Sequence, residues 1–355
     1  MSSVDQLQYL SWLVYVVLFV LVLVRTIRLP TPAHIHMTLF FGAVAVVILS
    51  SSLASTFHAS PPGWLVNLIT PIALLALGYL LLRLVRDFTD VPRLLVRAVE
   101  LGMLVSIAAV VFVPVPLPVS VVLALVGYLV LVIGYDAWAF ARQATRTQGV
   151  TRRRMQAVSL ASLSIVAALI TAGLGVLAPD AAGFWAELGA IFGLGSGVCY
   201  FIGFAPPTWL RRAWQEPEVR AFLSRAAHLA GSTAGPGDIL AQLERGAADA
   251  FGAPAARIAL WDPESRRLRI ATAGDAELPA RLARAWTQQR ASLVTELDES
   301  EAHAASLTGV AEARAALFAP ITAYDKRMGV LVVFAQRAPV FANSDLELIE
   351  LLADE

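Results

Sequence analysis

Residues 98–139 read AVELGMLVSIAAVVFVPVPLPVSVVLALVGYLVLVIGYDAWA. Glu100 and Asp136 are the charged residues in this run. It holds two lengths of about 20 residues, each enough to carry a helix across a hydrocarbon core of about 30 Å. Pro114, Pro116 and Pro118 cannot sit inside one helix. They therefore mark a tight turn between two spans, 98–117 and 119–139. Five further apolar runs lie outside this pair, at 8–24, 38–57, 64–82, 155–177 and 183–205. The expectation is a multi-pass α-helical membrane bundle of seven transmembrane helices.

Composition agrees. The chain has 355 residues, of which 57% are hydrophobic and 15% charged. A soluble domain carries about 25% charged residues. The apolar excess lies before residue 205, and the remainder reads as an ordinary soluble domain. Net charge is zero, and Lys326 is the sole lysine among 27 basic residues. That bias fits a coding preference better than a nucleic-acid surface, so no nucleic-acid partner is expected. Cys199 is the single cysteine, which excludes a disulfide within the chain and any cysteine-based metal cluster. The first 24 residues carry no Lys or Arg, so the basic start of a cleavable signal peptide is missing and the first span should be retained.

The arginines set the orientation. Arg25 and Arg28 follow the first span, Arg83, Arg86, Arg93 and Arg97 the third, Arg142, Arg146, Arg152, Arg153 and Arg154 the fifth, and Arg211 and Arg212 the seventh. The alternate connections, 58–63, 114–118 and 178–182, carry none. Basic loops stay in the cytoplasm. The N-terminus is thus expected outside, and residues 206–355 in the cytoplasm, with the protein in the cell's inner (plasma) membrane.

Three parts follow along the chain: a bundle at 1–205, a connector helix at 206–234 and a folded domain at 235–355. In the connector, Trp209 and Trp214 flank Arg211 and Arg212 as an interfacial belt. Val219, Phe222, Leu223, Ala226 and Leu229 then form one stripe at helical spacing, for packing within the domain or for a homodimer seam. In the third part, Asp238 caps a helix bearing Ile239, Leu240, Leu243, Ala247 and Phe251. A hairpin is expected from 257–261 and 268–272, a helix over 277–290, strands at 293–295, 315–321 and 329–334, and a closing helix from Asn343 or Ser344.

That order resembles a GAF domain. Ala319-Pro-Ile, Arg327-Met-Gly-Val-Leu-Val-Val and Phe341-Ala-Asn-Ser-Asp carry the resemblance. It implies an α+β fold with an antiparallel sheet and helices on one face. The whole layout is similar to the input half of bacterial membrane sensor histidine kinases, in which a phosphoacceptor helix pair and an ATPase domain follow the GAF domain. The closing helix carries no glycine cap at Glu355. The expectation is therefore either the input part of a longer kinase or a sensor that signals through a separate partner.

No catalytic motif is visible, and the chain is not expected to be an enzyme by itself. His228 and His303 lack the acidic neighbour and helical context of a phosphoacceptor, and no phosphate-cradling glycine loop or metal cluster occurs. A retinal Schiff base is excluded because no lysine precedes Lys326. A covalent bilin is excluded because Cys199 lies in the seventh span. The resemblance leaves a non-covalent GAF ligand open. Lys326 follows Asp325 where cyclic-nucleotide GAF domains have Asn-Lys, and Asp345 is followed by Leu346 rather than Glu.

Intramembrane polar groups are costly and therefore informative. Ser51, Ser55 and His58 share one face of the second helix, with Asn67 and Thr70 on the third and Trp185 and Glu187 on the seventh. They line a candidate outward-opening pocket, or anchor the helices at the interface. Arg97, Glu100, Asp136 and Arg142 form an expected charge network at the inner face. Gly189, Gly193 and Gly197 form a small-residue ridge for helix packing. The leading functional reading is a membrane-embedded sensory input module. A transporter-like bundle with a regulatory GAF domain and a membrane GAF scaffold are the alternatives.

Overall fold

The computed structural model describes residues 3–28, 32–56, 68–114, 116–147, 149–207, 209–210, 213–214, 216, 220, 224, 235–251, 253–270, 272, 276–299, 301–302, 313–323, 326–335, 346, 349–350 and 353. The chain divides into two compact units, one of Met1–Arg146 and Arg152–Pro207, the other of Thr147–Thr151 and Thr208–Glu355.

The first unit is helical: α1 (Ser3–Arg28), α2 (Pro32–Thr56), α3 (Thr70–Phe88), α4 (Arg93–Phe112), α5 (Val119–Arg146), α6 (Gly149–Leu177) and α7 (Ala182–Phe204). Among the described residues, six stretches are long and apolar enough to cross a membrane: Tyr9–Ile27, Pro32–Ser50, Arg93–Phe112, Val119–Arg146, Val150–Leu177 and Pro179–Phe204. Helix α3 falls outside that set because Arg83, Arg86 and Asp87 crowd its last turns. The expected basic loops at 83–97 and 142–154 are largely helix instead. Apolar runs mark the reach of the hydrocarbon, whereas helices end at stop signals such as Pro92 and Gly149. The proline turn is present, with α4 ending at Phe112 and the Val121 N–H donating to Pro118 O.

Large apolar side chains face outward on this unit: Leu94 is 83% exposed, Phe112 82% and Leu131 76%. Lipid, not water, suits such a surface. Inside, close approach at glycines accompanies bulk such as Phe40, Phe41, Phe140 and Tyr200. A Cβ on Gly203 of α7 would lie 2.6 Å from Val158 Cγ2 on α6, and one on Gly78 of α3 would lie 3.1 Å from Val132 Cγ1 on α5.

The second unit holds α8 (Pro236–Phe251), β1 (Ala255–Asp262), β2 (Arg267–Ile270), β3 (Ala276–Glu277), α9 (Arg284–Gln288), β4 (Ser292–Val294), β5 (Ala315–Ala323) and β6 (Lys326–Ala335). The strands make one antiparallel sheet in the order β3-β2-β1-β6-β5-β4. Both faces are covered, not one. Val330, Val332 and Phe334 pack with Ala316, Phe318, Leu278 and Leu282 on one side. Leu331 and Val333 pack with Ala247, Ile258, Ile349 and Ala353 on the other. Two-sided burial explains why β5 and β6 read as continuous apolar runs. The expected helix over 277–290 shrinks to α9 because β3 and a turn use its first half, and Gln289 at φ 51° ends it.

Candidate functional site

Hydrogen bonding builds the site in the helical unit, because helices already solvated by lipid gain little from apolar contact. Side chains tie each helix to the next. Thr26 Oγ1 on α1 and Thr38 Oγ1 on α2 are 2.6 Å apart. His36 Nδ1 and Asp87 Oδ2 join α2 to α3 at 2.7 Å. The Tyr79 hydroxyl on α3 donates to Glu100 Oε1 on α4 at 3.1 Å. The Tyr128 hydroxyl on α5 donates to Val99 O on α4 at 3.1 Å. Ser159 Oγ on α6 donates to Ala137 O on α5 at 2.8 Å. Ser162 Oγ on α6 and the Tyr200 hydroxyl on α7 are 3.0 Å apart. The circuit closes where Tyr15 on α1 donates to Ser196 Oγ on α7 at 3.0 Å, and Arg25 Nη1 donates to Phe204 O at 3.0 Å.

The α5–α6–α7 part of this seam is the driest. Tyr200 and Ser162 are fully buried, and Phe40, Phe41 and Phe204 pack around the Tyr200 ring. Close to it on α5 lies Asp136. Its side chain is 0% exposed, and neither carboxyl oxygen has a hydrogen-bond partner. A buried polar group almost always has a partner, so this exception marks the candidate site.

The residues singled out from sequence fall as follows. Of the outward-pocket set, His58 and Asn67 lie outside the described residues, as do the side chains of Ser51 and Ser55 on α2. Thr70 opens α3 and is half-buried. Trp185 packs edge-on to Phe184 with its Nε1 buried and unpartnered, while Glu187 is exposed. The structure does not draw the inner charge set together. Glu100 accepts from Tyr79, Arg97 is exposed, and Arg142 lies 5.3 Å over the Trp138 ring. The glycines divide between two neighbours. A Cβ on Gly189 would lie 3.0 Å from Thr171 Oγ1 on α6; one on Gly197 would lie 3.2 Å from Tyr15 and Val14 on α1; and Gly193 faces Ser11 of α1 at 4.0 Å. The connector stripe lies outside the described residues.

Sequence reasoning misses Tyr15, His36, Asp87, Tyr200 and Ser196. The available signal is polar spacing. Ser196 and Tyr200 lie four apart on α7. So do His34 and Thr38 on α2, where the Thr38 hydroxyl donates to His34 O at 2.9 Å.

In the sheet unit the face beneath α9 is filled. Trp261 and Trp286 stack at 4.8 Å over the apolar layer. Asp298 and Glu301 form a reciprocal helix cap: Asp298 Oδ1 accepts from the Glu301 N–H at 2.8 Å, and Glu301 Oε2 from the Asp298 N–H at 2.9 Å. Arg281 Nη1 reaches the same Oε2 at 3.3 Å. On the opposite face the buried Glu244 of α8 accepts from the Ile258 N–H at 2.9 Å and from the Thr272 hydroxyl at 2.7 Å. Lys326 opens β6 and is exposed; Asp325 and Asp345 lie outside the described residues.

Comparison with known families matches residues 236–355 to the GAF domain. The chain thus joins a GAF domain to a helical region with several apolar helices. No curated protein matches the chain.

Proposed function

We propose that the protein is a sensory input module whose helical unit lies in the inner (plasma) membrane and biases a cytoplasmic GAF domain. The observation that carries this reading is the closed circuit of interhelical hydrogen bonds. It ends on Phe204 O, where Arg25 of α1 holds the last turn of α7, and α7 leads by sequence into the 206–234 connector. A bundle pinned at every helix pair has discrete arrangements rather than a continuum, which is what a relay needs. In this reading α3 is a seventh span, the N-terminus is outside, and the basic helix ends face the cytoplasm. The chain acts as a homodimer on a kinase domain or response partner, carried in the same polypeptide or docked to it.

Gly197→Leu tests the reading. It forces α7 away from Tyr15 and Val14, so backbone hydrogen exchange in the connector and in the GAF sheet should change when full chains in lipid nanodiscs are compared. Unchanged exchange beyond Phe204, in a variant whose α1–α7 exchange does change, overturns it. Cysteine labelling of Ser60→Cys from outside and Gln148→Cys from inside checks the orientation.

A further inference from the structure

We propose that Asp136 is a proton-binding site, and that its occupancy decides whether the hydroxyls of the α5–α6–α7 seam bond to one another or turn to a carboxylate. The proposal rests on the sensor reading above for its consequence, but not for its chemistry.

Three observations carry it. Asp136 is fully buried, with both carboxyl oxygens unpartnered. A bare carboxylate walled from water is far costlier than the neutral acid, and a proton neutralises it without needing any space. Second, among the described residues no cation pairs with it. Arg142 on the same helix sits over Trp138. On α3, Arg83 lies over the Tyr79 ring and Asp87 is held by His36 of α2. On α4, Glu100 is held by Tyr79. Arg154 on α6 is engaged with other groups. Third, neighbouring hydroxyls are committed elsewhere: Tyr200 of α7 is 3.0 Å from Ser162 Oγ and Tyr128 of α5 donates to Val99 O, although both lie near enough to Asp136 for its charge to act on them.

Donor bookkeeping shows the switch. The single Ser162 hydrogen goes to Val158 O at 3.0 Å, so the Tyr200 hydroxyl donates to Ser162 Oγ. Tyr128 spends its hydrogen on Val99 O. With Asp136 neutral, every one of these hydroxyls is satisfied. Loss of the proton creates a carboxylate that draws the Tyr200 hydroxyl from α6 or the Tyr128 hydroxyl from α4. Either exchange breaks an interhelical tie. Asp136 lies about ten residues, about 15 Å of helix, from the Arg146 end of α5. Exchange with solvent at that basic end makes the site a reporter of proton activity on the arginine-bearing side.

The test is infrared spectroscopy of the full chain in lipid nanodiscs from about pH 5 to about pH 9, a window that brackets neutrality. The readout is the carbonyl stretch of a protonated carboxylic acid. One such band should be present at the acid end, vanish with a one-proton transition, and be missing from Asp136→Asn. That variant is a neutral isostere and should keep the fold. Hydrogen exchange in α6 and α7 should follow the band in the native chain, with the altered population growing about tenfold per pH unit. It should be pH-independent in Asp136→Asn and blunted in Tyr200→Phe. The imidazole of His36 contributes no carboxyl band in either of its forms. A native chain with no such band, a band that survives in Asp136→Asn, or a band removed by sodium at fixed pH overturns the assignment. A proton-dependent seam with unchanged exchange in the GAF sheet supports the proton site and sinks the sensor reading instead.

Discussion

The two units solve the same problem with opposite means. The GAF sheet is held by backbone register between two apolar layers, and its large side chains are inside. The helical unit turns many leucines and valines outward while keeping Phe40, Phe41, Phe140 and Phe204 inside, and joins its helices by hydroxyls, a histidine–aspartate pair and glycine contacts. Solvent explains the difference. In water, apolar burial drives packing. In lipid it does not, so close approach and hydrogen bonds must choose the partners. A substitution that attacks register should therefore damage the sheet unit most, and one that attacks a polar tie should matter more in the bundle.

The largest effect is expected at Gly329. It pairs with Leu260 across β1 and β6, and a Cβ there would lie 2.2 Å from Ala259 O. Backbone cannot yield as a flexible side chain can, so Gly329→Ala should part the two strands. The expected loss is about 3 kcal/mol, the upper end for overpacking. Denaturant unfolding of the full chain, read at the stacked Trp261 and Trp286, would measure it. A loss well under about 1 kcal/mol, the lower end of that range, would mean that the sheet tolerates a local shift, and that register is not what holds it.

That glycine also shows why the sheet unit is legible in sequence. Arg327-Met-Gly-Val-Leu-Val-Val carries the resemblance, and the structure supplies its physical basis: strand contact at Gly329 and two-faced burial from Val330 to Phe334. β3 escapes notice because two residues carry no alternation. In the bundle, helix existence is legible but helix phase is not. A helix apolar all round has no preferred face to read. Asp136 and Arg142 look like partners along the chain, yet six residues turn a helix by about 240°, and the structure puts one inside and the other over an exposed ring. Glu100 and Arg97 do share a face, but Tyr79 from α3 takes the carboxylate. Such choices are tertiary, and no spacing within one helix encodes them.

A middle-sized effect should come from the polar ties. Tyr15→Phe and Ser196→Ala each remove one end of the α1–α7 bond. A double-mutant cycle on reversible unfolding in bicelles should give a coupling of about 0.6 kcal/mol, the average for such bonds within membranes. A coupling near zero would leave α1 and α7 held by the Gly197 contact and the Arg25–Phe204 bond, and weaken the contrast between the units.

The smallest effect sharpens the comparison through a second aspartate. Asp262 ends β1 in water, where donors are plentiful. The Ser265 hydroxyl donates to it at 2.6 Å and the Glu264 N–H at 3.0 Å, with Arg269 3.5 Å away. The Ser265 bond first, then the Glu264 amide, holds its carboxyl below the usual range. A depressed value in the folded state means stability that is present above the ordinary aspartate value, about 3.9, and lost as pH falls through the folded one. Ser265→Ala should therefore be slightly less stable than the native chain near neutrality, with the gap closing in acid. Carboxyl-detected NMR should show Asp262 titrating closer to an ordinary aspartate in that variant. A gap that persists in acid would assign the Ser265 contribution to packing of the turn rather than to charge. Asp136 has no such donors, so the same side chain that is routinely solvated at the end of β1 becomes, inside the bundle, a group whose charge must be carried away or answered by moving a helix.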